Sequence, residues 1–189
     1  MSTLLIDNYD SFTYNLYHLL QDVAGIKEKI DVVYNDAVKV KDALRYDRIV
    51  VSPGPGIPKE AGNLMSIIDG IVGKRPFLGI CLGHQAMAAY FGGDLYQLSH
   101  PLHGIAEDIC LMNSRIFRGM NKRIQVARYH SWIVNRASLS SCISVVAETD
   151  AREVMAIEHQ TYPMIGLQFH PESFVTSEGA TIIQNFYRL

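Results

Sequence analysis

Short β-type apolar runs alternate with helical patterns through the first half of the chain, and that alternation leaves few folds open. Apolar runs at residues 3–6, 30–34, 48–51 and 76–81 are separated by amphipathic stretches at 14–23 and 63–72, and a further helical stretch follows at 85–91. Strands separated by helices form a parallel sheet covered on both faces, so this half predicts a doubly wound α/β fold. From Asp94 onward the pieces are shorter and mostly strand-like, at 109–112, 124–129, 143–149, 154–159 and 164–169, before a closing helix at 179–187. Closely spaced strands without helices between them form hairpins, so the sheet is expected to be mostly parallel and partly mixed. At 189 residues the chain suits one domain spanning 1–189, with no repeat, low-complexity tract or linker in view.

The strongest local signal inside this frame is Gly79-Ile80-Cys81-Leu82-Gly83, where a buried-type strand runs directly into a helical pattern. A nucleophile on a strand-turn-helix elbow sits on a cramped backbone, and small neighbours two residues to either side make room for it. The elbow holds the sulfur at the carboxyl edge of the sheet, where open α/β folds bind ligands. The positive end of the following helix favours a developing thiolate there. A free cysteine is more often a small buried core residue, and here the flanking glycines and the strand-to-helix context favour a nucleophile instead.

A cysteine acting on a carbonyl needs a histidine to move protons and a third group to hold the imidazole. Seven histidines compete, and His170 is the best placed, because the apolar run 164–169 stops at it and Pro171 removes the next ladder donor. Glu172 follows two positions later, and in an extended chain the two side chains would project to one side. A His-Pro-Glu turn taken alone reads as a solvated loop; it gains meaning from the matching elbow elsewhere.

The segment Ser52-Pro53-Gly54-Pro55-Gly56-Ile57-Pro58 is a rigid loop whose prolines fix the chain and whose glycines allow close approach to a ligand. Three of its seven residues lack an N–H and no Gly-Lys-Ser/Thr follows, so it does not read as a phosphate loop. It could aim a backbone donor at an oxyanion, and the N–H groups of Gly54 and Leu82 are the expected pair. Gln85 and the segment Arg128-Tyr129-His130-Ser131-Trp132 are candidate substrate contacts, the latter reading equally well as a buried aromatic cluster.

Charge and cysteine usage narrow the partners. A formal net charge of -2 without runs of like charge gives no reason to expect nucleic acid or an anionic membrane. Cys81, Cys110 and Cys142 are odd in number and far apart, which argues against a disulfide framework and for the reducing cytoplasm. The N-terminal stretch lacks the basic start of a secretory signal, and no apolar run reaches membrane-spanning length. His100 and His103 form a metal-like pair without a supporting carboxylate pattern, so no metal site is expected.

Five segments taken in order resemble one family: residues 7–15 (Asp-Asn-Tyr-Asp-Ser-Phe-Thr-Tyr-Asn), the 52–56 loop, Gly79 to Gln85, Arg128 to Ser131, and Gln168 to Ser173. Together they resemble the triad-type class I glutamine amidotransferases, and among them the small subunits of anthranilate synthase and aminodeoxychorismate synthase. The resemblance covers essentially the whole chain and implies a flavodoxin-like three-layer fold. It implies a triad of Cys81, His170 and Glu172, and a glutamine site at Gly54, Pro55, Gly56, Gln85, Ser131 and Trp132. It implies no cofactor in this chain, and a chorismate-binding large subunit that uses Mg2+ and receives ammonia, with Asp10 and Ser11 as contacts to it. Asp10 or Ser11 could equally cap the first helix. One departure stands out: His103-Gly104 is followed by Ile105, where the family usually has lysine. Trp132 also stands where leucine is more common, which suits a contact through the backbone. The motifs leave the tryptophan pathway, the folate pathway and a subunit shared by both open, anthranilate synthase being the first expectation. Two other readings remain, a different cysteine hydrolase on the same elbow and a silent binding subunit; the second would call for a missing triad member, and none is missing.

Overall fold

The structure, a computed structural model, describes residues 1–25 and 28–189. The first four strands are β1 (Ser2–Asp7), β2 (Lys29–Tyr34), β3 (Arg48–Val51) and β4 (Phe77–Ile80). Between and after them come α1 (Thr13–Ala24), the short α2 (Val40–Ala43), α3 (Leu64–Ile71) and α4 (Leu82–Tyr90). The second half supplies β5 (Leu95–Gln97), β6 (Ile105–Leu111), β7 (Arg123–Arg128), β8 (Trp132–Val134), β9 (Ile143–Thr149), β10 (Val154–His159), β11 (Met164–Leu167) and α5 (Gly179–Tyr187).

Nine strands form one sheet in the order β2-β1-β3-β4-β11-β10-β9-β6-β7. The five from β2 to β11 are parallel, in the 2-1-3-4-5 sense of a flavodoxin-like sheet, and the four from β10 to β7 extend it antiparallel. Of the parallel strands, β1, β3, β4 and β11 are buried on both faces because helices cover both, while β2 at the edge of the sheet is only half-buried. On one face Leu16 and Leu20 of α1 and Ile182, Ile183 and Phe186 of α5 pack on Leu5, Val50, Leu78 and Ile165. On the other, Leu64, Ile67, Ile68 and Ile71 of α3, with Ala86 and Met87 of α4, pack on Leu4, Ile49, Val51 and Phe77. Adjacent residues of one strand thus enter opposite cores, the period-2 geometry of a pleated strand. Each fully buried Leu, Ile or Phe contributes about 1.5–3 kcal/mol of transfer free energy to this arrangement.

Several boundaries differ from expectation. The helix after the elbow begins at Leu82, three residues before the expected start, because the turn is immediate and Gln85 N–H already donates to the Cys81 carbonyl at 3.0 Å. β11 stops at Leu167, so Gln168 and Phe169 belong to the following loop. β6 starts at Ile105, well before the apolar run that announces it, because Glu107 is matched across the hairpin by an ion pair with Arg128. The small β5–β8 ribbon and the four-residue α2 went unanticipated, being too short to show a period.

Candidate active site

β3, β4 and β11 are neighbours in the parallel part of the sheet, and the three key motifs follow their carboxyl ends. The loop 52–56 leaves β3, Cys81 leaves β4, and the segment 168–173 leaves β11. Motifs separated by tens of residues therefore meet at one edge, where α/β sheets place ligands.

Cys81 is the N-cap of α4 and adopts φ 50°, ψ -96°, a backbone conformation that L-residues rarely occupy. Its N–H donates to the Leu167 carbonyl at 2.7 Å, so strand pairing on one side and helix initiation on the other pin it there. The flanking glycines are sterically required. A Cβ on Gly79 would lie 2.3 Å from the carbonyl carbon of Gly83, and one on Gly83 would lie 2.9 Å from Val51 Cβ. Strand and helix cross too closely for any side chain between them.

His170 lies in the loop beyond β11, three residues past the strand end. Its pairing with Glu172 comes from a turn, in which Ser173 N–H donates to the His170 carbonyl at 3.3 Å, and not from the extended chain that sequence spacing suggests. The contact is nevertheless made: His170 Nδ1 and Glu172 Oε1 are 2.6 Å apart, with both side chains buried. The loop is fixed to β7 by His170 N–H donating to the Ala127 carbonyl at 3.2 Å, and by Thr176, whose hydroxyl donates to the His170 carbonyl at 2.8 Å and accepts from Ala127 N–H at 3.1 Å. Behind it, α5 starts so close that a Cβ on Gly179 would meet the Pro171 carbonyl oxygen at 2.0 Å.

Burial works to lower the His170 pKa, but its interactions with Cys81 and Glu172, through hydrogen bonding and their charges, outweigh burial and raise it well above the ordinary histidine value. The buried Nε2 atom is the ring nitrogen left for Cys81, Nδ1 being engaged by Glu172, although its contact with the sulfur falls short of hydrogen-bond geometry. Tyr129 and Phe12 stand edge-on around the imidazole, with ring centroids at 5.0 and 6.2 Å. A small cavity of about 180 Å³, lined by Phe12, Tyr129, His170, Glu172 and Phe174 among others, opens beside them. A larger cavity, about 770 Å³, lies between residues 111–122 and the end of α5 and contains none of these groups.

The 52–56 loop packs directly on the elbow: a Cβ on Gly54 would come within 2.9 Å of Leu82 Cδ2 and 2.5 Å of Asn8 Cβ. Asn8 braces this loop, since its backbone N–H donates to Ser52 Oγ at 2.9 Å and its side-chain amide to the Ser52 carbonyl at 2.8 Å. Sequence spacing did not single out Asn8. Gln85 and Trp132 are brought together, Gln85 Nε2 donating to the Trp132 main-chain carbonyl at 2.9 Å. That carbonyl is thereby engaged within the protein, and the Ser131 carbonyl likewise accepts from Leu98 N–H at 2.7 Å. Gln168, quoted only as part of a motif, proves to direct Nε2 at Cys81 Sγ, 3.5 Å away.

Asp10 and Ser11 border the site at the start of α1. Asp10 Oδ2 accepts from Phe12 N–H at 2.7 Å, so it closes the turn before the helix, whose N-cap is Phe12 and whose first turn therefore has no capping hydrogen bond from the N-cap side chain. Burial raises the Asp10 pKa. Among the described residues no three His, Cys, Asp or Glu side chains are grouped to hold a metal ion, and no helix is long and apolar enough to cross a membrane.

Residues 4–189 match the model of one family, described as glutamine amidotransferase class-I. The chain belongs to the class-I glutamine amidotransferases. It is 42% identical to the aminodeoxychorismate synthase component 2 of Escherichia coli (strain K12) over 97% of each chain. It is also 42% identical to the anthranilate synthase component 2 of Pseudomonas aeruginosa, over 98% of this amidotransferase and 94% of that protein. Among solved structures, a Thermoplasma acidophilum protein assigned to GMP synthase superimposes with a TM-score of 0.85 at 28% identity, covering 98% of this chain and 92% of that one.

Proposed function

We propose that this amidotransferase hydrolyses glutamine to glutamate and ammonia at Cys81, with His170 and Glu172 as its proton-transfer pair, and passes the ammonia to a chorismate-using synthase subunit. One observation carries the reading. The sulfur at the α4 N-cap and the His170–Glu172 pair at 2.6 Å leave adjacent parallel strands and meet at one edge of the sheet.

The chemistry follows from the groups. The Cys81 thiolate attacks the side-chain amide carbon of glutamine, and the carbonyl oxygen becomes an oxyanion. The N–H of Leu82, which as the first helical residue has no intrahelical acceptor, and that of Gly54 are the proposed donors to it. Imidazolium His170 gives its proton to the departing nitrogen, which leaves as ammonia, and a glutamyl thioester remains. Neutral His170 then takes a proton from water, the hydroxide adds to the thioester, and Cys81 leaves as glutamate is released. Glu172 holds the imidazole by Nδ1 and offsets its charge. Gly54, Pro55 and Gly56, with Gln85, Ser131 and Trp132, are proposed to line the glutamine site.

Ammonia must reach an acceptor, and the names of both component 2 relatives support a component 1 partner. The rim of the site suits such a partner. Phe174, two residues from Glu172, is 93% exposed, and Phe12 and Ile105 are also exposed apolar groups in this region, beside Asp10 and Ser11. Ile105 in place of the family's lysine makes this rim more apolar. We favour anthranilate as the product, in a reducing cytoplasm that suits three free cysteines. Equal identity to relatives of both names keeps aminodeoxychorismate as a second reading.

The test mixes the purified chain with glutamine, chorismate and each candidate large subunit in turn. The expected result is anthranilate formation, and Cys81→Ala should abolish the glutamine-dependent reaction while the ammonia-dependent one continues. Loss of both would refute the division of labour, and aminodeoxychorismate alone would transfer the chain to the second reading.

A further inference from the structure

A chain of hydrogen bonds runs from a buried ion pair to the nucleophile through groups that the proposed triad does not use. Arg128, at the end of β7, pairs with Glu107 on β6 and with Glu153 at 2.7 Å. Arg128 Nε donates to His130 Nε2 at 3.2 Å, and His130 Nδ1 lies 3.0 Å from the Trp132 carbonyl. The same carbonyl accepts from Gln85 Nε2 at 2.9 Å, Gln85 Nε2 also reaches Gln168 Oε1 at 3.3 Å, and Gln168 Nε2 reaches Cys81 Sγ at 3.5 Å. All four side chains, Arg128, His130, Gln85 and Gln168, are buried, so water does not compete for these contacts.

The direction of every link is forced. A guanidinium has no acceptor, so His130 must present a lone pair at Nε2 and carry its proton on Nδ1, which then donates to the Trp132 carbonyl. Burial, followed by the positive charge of Arg128, lowers the His130 pKa to about 3, which keeps the ring neutral and this tautomer in place. A carbonyl can only accept, so Gln85 turns its NH2 toward Trp132. That NH2 fixes Gln168 with Oε1 toward Gln85, leaving the Gln168 NH2 for the sulfur.

We propose that Gln168 is a catalytic hydrogen-bond donor to the Cys81 thiolate, and that Arg128 and His130 are positioning residues that hold in place the Trp132 carbonyl from which the Gln85 and Gln168 amides take their direction. The role rests on the glutaminase reading for its purpose, since a donor at sulfur favours the nucleophilic thiolate and helps it leave at thioester breakdown. The other titratable groups around the sulfur are His170 and Glu172 from the loop after β11, Asp10 before α1, and His84 on α4. His84 is neutral at physiological pH, because burial lowers its pKa to about 4. None of these belongs to the relay, and each stays unchanged in the variants below.

The test follows alkylation of the Cys81-containing peptide by iodoacetamide in the full chain as a function of pH, read by mass spectrometry so that Cys110 and Cys142 do not contribute. Gln168→Met keeps volume and neutrality but removes the donor. Losing a hydrogen bond to a charged group should cut the thiolate fraction at least about tenfold, moving the half-maximal pH of alkylation up by about one unit. His130→Phe, folded by circular dichroism, should move it the same way by a smaller amount, because the Trp132 carbonyl loses the donor that holds it in place for Gln85. The double variant should move it no further than Gln168→Met alone. A purely structural role would lower the melting temperature without shifting the profile. A Gln168→Met profile overlying that of the wild type, or shifts that add in the double variant, would overturn the proposal. Alkylation needs no glutamine, so the relay can stand if glutaminase activity fails, and can fail while glutamine is still hydrolysed.

Discussion

At φ 50°, ψ -96° Cys81 should store backbone strain, and replacing it with glycine or alanine measures that strain without the sulfur. A sparsely populated backbone conformation costs about 1–3 kcal/mol for a residue with a Cβ, and little for glycine. Against this, glycine costs about 0.4–1 kcal/mol through the greater freedom of the unfolded chain, and the alanine methyl group adds up to about 0.8 kcal/mol when buried. At an ordinary helical position only the two opposing terms act, so Ala86→Gly within α4 should lose about 1–2 kcal/mol. At position 81 the released strain should offset that loss, and a strain near about 2 kcal/mol leaves Cys81→Gly more stable than Cys81→Ala by about 0.5 kcal/mol. The assay is urea unfolding of the three variants, comparing midpoints at unchanged slope. In melting temperature, 1 kcal/mol corresponds to about 2–4 °C for a chain of this size. If Cys81→Gly falls below Cys81→Ala by as much as Ala86→Gly falls below the wild type, the elbow stores no strain and the reasoning fails.

Two further outcomes follow from the same structure. His84 is fully buried, both ring nitrogens lack hydrogen-bond partners, and its pKa is lowered to about 4 against about 6.5 when unfolded. The unfolded state therefore binds the proton first: this contribution is complete above pH 6.5 and is lost as pH falls toward 4, by up to about 3 kcal/mol. His84→Met should flatten the urea midpoint over that pH window, and a variant whose midpoint still falls as steeply would locate the acid-sensitive group elsewhere. Gly79→Ala should destabilise more than Gly83→Ala, because its Cβ would meet rigid backbone at 2.3 Å whereas that of Gly83 meets a valine side chain at 2.9 Å. Overpacking of this kind costs roughly 1–3 kcal/mol or more, and equal losses in unfolding experiments would count against the crossing geometry.

Much of the site was legible before the structure because its signals are local. Gly79 and Gly83 mark the elbow through sterics confined to five residues, and the Pro171 stop marks the end of the strand run. The His170–Glu172 contact was anticipated for a reason the structure corrects: a turn, not extended spacing, joins them. Asn8 and Gln168 gave no signal of their own. Asn8 acts on Ser52 across 44 positions, and Gln168 on Cys81 across 87, so neither role leaves a periodicity or spacing to read.

The sequence by itself determined the longer elements, their alternation, the elbow and the identities of the chemical groups, because these depend on side-chain patterning and backbone sterics over a few residues. Tertiary structure alone decided that β3, β4 and β11 lie side by side, so that three distant loops share one edge. It also decided that a buried arginine orients a hydrogen-bond chain ending at sulfur. Strand order and the direction of buried hydrogen bonds are set by which surfaces exclude water from which, and that exists only once the whole sheet has formed.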